Sequence, residues 1–504
     1  MDKERCSSLK RKKVYFLHSD IGQHLTGIEK SAMKRGNMFV KYLDIEPVFI
    51  TVNKNINVHK NWERYVENGI VDKNIPMVNL FEYFQHSEEG RNNPPYKIKR
   101  EKTYGYEEEE SANNLHLRVF DSNNKLVKYA VYSANKLLSH INYFHEGKKI
   151  VRDRFNRFGQ LSHTEYLRED NTVLMTEYFD VYGKRVIIKY DGGPYLISDG
   201  NATFDTVLPD EQALILYFLK KIIGDEEPII MIDRNKRYSS LFTGRKQLNA
   251  KTISVIHSTY FSNIKFRSKL NKHYQDVLNS PYSFDNIVVL TNNQKRDIEK
   301  QFGIKNLVAI PHPCQIADNL DEKTPQTNKL ISVGRLSSEK NLDHLLEIIA
   351  IVKKSIPDVL LEIYGSGKEQ KNLKNLTQKL DLKNNVKFKG YVDNVHDVYA
   401  SGELFLFAGQ AEGFTMSVLE SLSCGCPVGS YNVRYGVDEM ILGEKNGFLV
   451  EFGDKEKFSE KIITYLNKSN EEKKYYRQEA INTASNYLED KVADKWRELL
   501  NSLS

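Results

Sequence analysis

Two short stretches of the chain have residue types and spacing suited to handling a charged leaving group. In Val333-Gly334-Arg335-Leu336-Ser337-Ser338-Glu339-Lys340-Asn341, Arg335 and Lys340 leave a strand-like apolar run. A planar guanidinium fork and an ammonium on one loop suit a diphosphate, whose charge they would neutralise. A solvated basic loop ahead of a helix explains the same residues, and the spacing alone leaves both readings open. In Phe407-Ala408-Gly409-Gln410-Ala411-Glu412-Gly413-Phe414-Thr415-Met416-Ser417-Val418-Leu419-Glu420, a strand runs into a glycine-bearing turn and then a helix. Free backbone amides near Gly413, Phe414 and Thr415 would accept an anion at such a helix N-terminus. Along a helix axis Glu412 and Glu420 would stand about 12 Å apart, too far to share one proton or one metal ion. They can instead grip hydroxyls at opposite ends of an elongated ligand. The competing reading is one glutamate complementing the helix dipole and a second on the surface.

Two further sets carry less information. His257 follows the apolar run Ile253-Ser254-Val255-Ile256, and a lone histidine at a strand end is usually structural. Lys148, Lys149, Arg152, Arg154 and Arg157 lie close together in a β-rich stretch where alternate residues share a face. They could guide an anionic polymer; a solvated face offset by Glu146 and Asp153 accounts for them equally well.

The elements that must position these groups begin with a β-loop-α unit: Val14-Tyr15-Phe16-Leu17, a loop holding Gly22 and Gly27, and a helix-compatible stretch from Glu29 to Val40. From about Pro94 to Asp210, strand ends are followed by turn signals such as Asn123-Asn124, Glu146-Gly147, Phe158-Gly159 and Tyr182-Gly183. This texture predicts an antiparallel meander of hairpins. Unbroken apolar runs then return at Ile229, Ile253 and Ile287, as expected for parallel strands covered on both faces. A second α/β unit follows Pro311-His312-Pro313, with strands near Leu330, Leu360, Val386 and Leu404. Val492, Trp496 and Leu499 recur at helical spacing in a terminal helix.

The expected fold class is therefore α/β: two facing Rossmann-like domains with an antiparallel β-sheet insert in the N-terminal one. Residues 1–93 and 211–312 would form the first domain, 94–210 the insert, 313–485 the second domain, and 486–504 a helix packing across the body. Two such sheets enclose a cleft at their strand carboxyl ends, where open α/β sheets bind ligands. A length of 504 residues fits this count at roughly 150 per domain. With 40% hydrophobic and 28% charged residues, collagen-like, disordered and disulfide-scaffold classes are excluded. A net charge of +6 is too small to announce a nucleic-acid binder. No apolar stretch approaches the roughly 20 residues that span a bilayer, so a cytoplasmic protein is expected. Cys6, Cys314, Cys424 and Cys426 suggest neither a disulfide framework nor a zinc knuckle.

Arg335 with Lys340 and Glu412 with Glu420 resemble the basic pair and paired-glutamate motif of retaining family 4 glycosyltransferases. Gly365-Ser366-Gly367 and Gly390-Tyr391-Val392 are similar to that family's intermediate landmarks. The β-rich insert, Val255-Ile256-His257 and Leu290-Thr291-Asn292-Asn293-Gln294 narrow the resemblance to the bacterial wall teichoic acid alpha-glycosyltransferases, over nearly the whole chain. The resemblance implies a GT-B arrangement and a hexosyltransferase moving glucose or N-acetylglucosamine from a UDP-sugar to ribitol- or glycerol-phosphate repeats. It implies no cofactor and no metal, in keeping with the lack of an Asp-x-Asp pair. Arg335 and Lys340 would stabilise the departing diphosphate, Glu412 would meet donor-sugar hydroxyls, Glu420 would hold the ribose, and His257 would lie against the donor sugar. Gly27 would let backbone approach the phosphates, with Thr26 standing where the family often has another glycine. The implied partners are the UDP-sugar, an anionic teichoic acid polymer and further copies of the chain, as a trimer through the insert. No nucleic-acid partner is implied, and membrane association would be at most peripheral, at the inner face. Two alternatives share the scaffold: O-glycosylation of serine-rich adhesins, and a non-catalytic glycosyltransferase-like binding subunit. A nicotinamide dehydrogenase fits less well, because Gly22 and Gly27 do not form Gly-x-Gly-x-x-Gly.

Overall fold

Val14–His18, apolar up to its final histidine, is buried along its length inside a parallel sheet. The computed structural model describes residues 13–503 apart from 44, 46, 88, 90–106, 111–114, 199–203, 245–246, 264–267, 319, 321–323, 393 and 411. Cys6, the expected insert edge at Pro94, and Ala411 lie outside the described residues. The sheet has seven strands in the order Leu307–Ala309, Asn286–Val289, Lys251–Val255, Ile229–Ile232, Val14–His18, Pro47–Thr51 and Met77–Asn79, all parallel. The apolar runs read from the sequence are its central strands, which helices cover on both faces.

Between Met77–Asn79 and Ile229–Ile232 the chain builds a ten-stranded antiparallel sheet, from Glu107–Glu110 to Thr206–Leu208, in which every strand pairs with its sequence neighbour. The turn joining Leu138–His145 to Lys148–Phe155 shows why so simple a topology follows from local chemistry. Glu146 and Gly147 both adopt positive φ, 48° and 75°, the two-residue geometry whose twist matches that of paired strands. The two ends of this sheet are anchored differently. Tyr178, Ile187, Tyr195 and Ile197 share one core with Phe81, Phe84 and Phe218 of the parallel-sheet region, with the Phe81 and Tyr178 ring centroids 4.8 Å apart. Leu117, Ala130, Leu138, Ile141 and Phe155 form a small cluster of their own.

The second parallel sheet has six strands in the order Val386–Gly390, Leu360–Tyr364, Lys329–Val333, Leu404–Phe407, Val428–Tyr431 and Gly447–Val450. The helix Leu342–Val352 buries Leu342, Leu345, Leu346 and Ile349, the stripe visible in the sequence. The last helix, Glu489–Ser502, crosses back to the first sheet, where Val492, Trp496 and Leu499 enter its core. The helix expected over Glu29 to Val40 runs over Gly27–Met38 and then widens into a π turn at Phe39–Leu43. At that widening Phe39 contacts Phe16 and Trp496, at centroid distances of 5.9 and 5.5 Å. No helix among the described residues is long and apolar enough to cross a membrane. The result is two parallel α/β sheets with an antiparallel sheet in the N-terminal region, a GT-B type fold.

Candidate functional site

At the edge of the second sheet, the loops leaving Lys329–Val333 and Leu360–Tyr364 lock together. The amides of Gly334 and Leu336 donate to the carbonyls of Tyr364 and Ser366, each at 3.0 Å. A Cβ on Gly365 would lie 1.9 Å from the Gly334 carbonyl oxygen, so only glycine permits this approach. Arg335 projects from this double loop and is exposed. Lys340 ends the one-turn helix Ser338–Lys340, and its ammonium pairs with the Glu412 carboxylate. Asn341 Nδ2 donates to the Ala408 carbonyl at 2.9 Å, which ties the basic loop to the glutamate stretch.

The helix after Leu404–Phe407 begins only at Met416, with Thr415 as its N-cap. Glu412 thus sits in the turn ahead of the helix and Glu420 upon it, so the 12 Å helix-axis separation expected from sequence does not describe the pair. Thr415 Oγ1 is buried and has no hydrogen-bond partner among the described residues, which leaves a polar atom free beside the turn. Burial pushes the Glu420 carboxyl up, and Lys34 and Lys30 from the opposite half draw it back. Those two lysines, Pro313, Arg335, Gly365 and Glu420 line one cavity of about 870 Å³ shared by both halves of the chain.

In the N-terminal half, Gly27 opens the helix Gly27–Met38. Thr26 and Glu29 form a capping box there, and Arg234 pairs with Glu29 and donates to Thr26 Oγ1 at 3.0 Å. A Cβ on Gly27 would meet nothing within 4 Å, so the space over this helix N-terminus is open. His257 Nε2 lies 2.7 Å from Asp233 Oδ1, while Arg35 Nη2 donates to Asp233 Oδ2 at 2.6 Å. Burial alone would push the Asp233 carboxyl up; Arg35 and the bond to His257 instead hold it far below the ordinary carboxylate value. His257 is therefore tethered by an ionised carboxylate, which orients its ring.

The two halves meet at this histidine. A Cβ on Gly413 would come within 2.3 Å of the His257 carbonyl oxygen. The His257 ring stacks on His312 at 5.9 Å, and His312 meets Phe414 edge-on at 5.5 Å. Burial lowers His312 well below its usual range, so it enters these contacts uncharged. The amides of His257 and Ser258 both donate to the Tyr274 hydroxyl, at 3.1 and 3.0 Å.

The structure thus brings together His257, Gly413 and Phe414, joins Lys340 to Glu412, and places Arg335 and Glu420 on one cavity. The basic run of the insert is divided in part, with Lys149, Arg152 and Arg154 together and Lys148 and Arg157 turned to other partners. Arg152 and Arg154 share a face with Glu165, at 3.2 and 3.8 Å, and both lower the Lys149 ammonium alongside burial, its largest cause. Lys148 pairs with Glu169 at the hairpin end, and Arg157 braces the insert against Glu63 at 2.7 Å.

Sequence reading missed Asp233, Arg35, Lys30, Lys34 and Glu439. Asp233 directly follows the buried strand Ile229–Ile232, and a polar residue at the carboxyl end of such a strand was the available signal. Glu439 accepts from the amides of Asn292, at 3.1 Å, and Asn293, so it caps the helix Asn292–Phe302 from the opposite half. No local pattern announces that bridge.

Residues 318–483 match the family described as Glycosyl transferases group 1. Poly(glycerol-phosphate) alpha-glucosyltransferase of Bacillus subtilis is 23% identical over 97% of this chain and 75% of its own length. Poly(ribitol-phosphate) alpha-N-acetylglucosaminyltransferase of Staphylococcus aureus is 25% identical over 97% of this chain and all of its own. The GtfA subunit of the UDP-N-acetylglucosamine–peptide N-acetylglucosaminyltransferase of Streptococcus gordonii is 26% identical over 73% of this chain and 74% of its own. A crystal structure of S. aureus TarM in complex with UDP superposes with a TM-score of 0.81 at 23% identity, covering 97% of this chain and 100% of that one. On a GT-B type fold with a group 1 glycosyl transferase segment, the chain resembles the bacterial wall teichoic acid alpha-glycosyltransferases along nearly its whole length.

Proposed function

We propose that this protein is a retaining glycosyltransferase that moves glucose or N-acetylglucosamine from a UDP-sugar to the polyol-phosphate repeats of wall teichoic acid. The observation that carries the reading is the shared cavity, where Arg335, Lys30 and Lys34 concentrate positive charge around the Glu420 carboxylate. Such fixed cations stabilise the charge that develops on a departing diphosphate, without reorganisation at the moment of reaction. In this reading residues 313–485 hold the donor, with Arg335 and Lys340 on the diphosphate, Glu420 on the ribose and Glu412 on a sugar hydroxyl. The Gly413, Phe414 and Thr415 turn and the open N-terminus at Gly27 would contribute amides to the phosphates. The acceptor hydroxyl attacks the anomeric carbon on the face that UDP leaves. The bond to the acceptor oxygen forms as the bond to the phosphate oxygen breaks, and that phosphate oxygen takes the hydroxyl proton. The reading needs no cofactor or metal, because the lysine and arginine supply the positive charge. His257, held by Asp233, would line the sugar side of the cleft.

The chain would act at the inner face of the membrane as a homo-oligomer, a trimer through the insert. Similarity to the GtfA subunit favours a second reading, transfer to serine-rich adhesins. UDP release measured with UDP-glucose and UDP-N-acetylglucosamine, crossed with purified teichoic acids and an adhesin fragment, tests both. Turnover only with the adhesin would replace the first reading by the second. A folded protein with no turnover on any acceptor would be a binding subunit.

A further inference from the structure

A second cavity, of about 660 Å³, lies between the insert and the carboxyl edge of the first parallel sheet. Its walls include Asp20 and Lys54 from the loops after Val14–His18 and Pro47–Thr51, and Arg154, Glu165, Lys189 and Asp191 from the insert. Each carboxylate there already has partners. Asp20 accepts from Asn55 Nδ2 at 2.9 and 3.0 Å and from the Ile21 amide at 2.8 Å. Glu165 pairs with Arg152 and Arg154, and Asp191 with Arg168 at 2.9 Å. The two lysines differ. Lys54 donates to the neutral amide of Gln85 and lies near the rings of Phe81 and Tyr178, at 6.0 and 5.9 Å, with no carboxylate within 4.0 Å among the described residues. Lys189 stands over the Tyr195 ring at 5.6 Å and likewise has no carboxylate partner among the described residues.

Burial lowers the Lys54 ammonium to about 8, with Glu82 pulling it back, and Glu82 is itself paired with His59 at 2.6 Å. A half-buried cation with no carboxylate in direct contact is costly, and a ligand anion entering the cavity would relieve that cost.

We propose that this cavity is an acceptor subsite in which Lys54, assisted by Lys189, binds a phosphodiester of a polyol-phosphate chain. The inference rests on the reading of such a polymer as acceptor and adds where the polymer is held. Lys54 follows the strand Pro47–Thr51, which is three strands from Lys251–Val255 and His257, roughly 14 Å at the usual strand spacing. A repeating phosphodiester anchored at Lys54 would therefore extend along the sheet edge toward the donor cleft, with the aromatic rings of the cavity against its carbon chain.

The test uses the full-length protein and a short glycerol-phosphate oligomer, with binding followed by calorimetry at low and raised salt and UDP binding measured in parallel. K54M should weaken oligomer binding about tenfold and flatten its salt dependence, with a smaller loss for K189Q. Unchanged oligomer affinity in a folded K54M, as judged by UDP binding, overturns the subsite. If K54M does not fold, K189Q decides: an undiminished affinity there overturns the subsite as well. Wild-type protein that binds no oligomer also overturns it. The acceptor reading itself is judged apart from these results, by UDP release with whole teichoic acid, so the subsite can fail while that reading stands.

Discussion

The two halves of the cleft are built from similar parts, parallel strands whose carboxyl ends face a common cavity, yet they supply their chemistry differently. The C-terminal half carries Arg335 and Lys340 on one loop and Glu412, Gly413, Phe414, Thr415 and Glu420 on another, each group within a short run of chain. The N-terminal half assembles Arg35, Asp233 and His257 from three separate elements and fixes them by burial and charge pairing. A contiguous set can be read from a sequence because spacing along one loop limits spacing in space. A dispersed set depends on strand order, which no local pattern specifies.

Four substitutions test that contrast. The largest effect is expected at Lys340, whose ammonium pairs with Glu412. K340M should lower kcat by about 10²–10³, comparable with removal of one preorganised stabilising donor elsewhere. A UDP-release assay at saturating donor checks this, and a change confined to KM would move Lys340 out of the transition-state contacts. At the junction of the halves, G413A would force a methyl against the His257 carbonyl oxygen, 2.3 Å away in the present backbone. The displacement should cost about 10² in kcat while the fold survives. Full activity would mean that the junction is not held at the spacing described.

The dispersed half should respond first in stability. D233N leaves the buried Arg35 guanidinium without its anion, and about 3 kcal/mol of unfolding free energy should be lost at neutral pH. The Asp233 carboxyl is held below its ordinary value of 3.8, so its contribution is complete above that pH and fades as acid protonates it. Denaturant titrations of both proteins across pH should therefore converge only in acid; a difference that disappears already at neutral pH contradicts the pairing. The smallest effect is expected at the insert strut. R157Q removes a partly exposed pair with Glu63 and should change stability by no more than about 1 kcal/mol and turnover not at all. A large loss of activity there would make the insert's attachment part of the active geometry.

The same contrast explains what could be read beforehand. The parallel sheets were legible because short, β-branched apolar runs such as Ile229–Ile232, bounded by polar segments, suit strands covered on both faces. The meander was legible because the Glu146-Gly147 turn dictates a local reversal. Arg335, Lys340 and Glu420 fall on the shared cavity or its loops for the same local reason. Glu412 was misplaced onto a helix because the extended turn before Met416 has no periodicity to mark it. Asp233 and Lys54 were missed because each lies in a polar run after a strand, Asp233-Arg234-Asn235 and Asn53-Lys54-Asn55, and its meaning comes only from neighbours distant in sequence. Of the five insert cations, Lys149, Arg152 and Arg154 stay grouped around His140 and Glu165, while Lys148 turns to Glu169 and Arg157 to Glu63, pairings that no spacing along the chain announces.

The proposed transfer of a sugar from a nucleotide donor to a polyol-phosphate polymer in this cleft is open to a single assay. Its most direct test is UDP release from UDP-glucose or UDP-N-acetylglucosamine, followed with and without purified teichoic acid. Release with one of these donors should rise with polymer concentration and fall sharply in K340M. Release that ignores the polymer, or none from a folded protein that binds UDP, would contradict it.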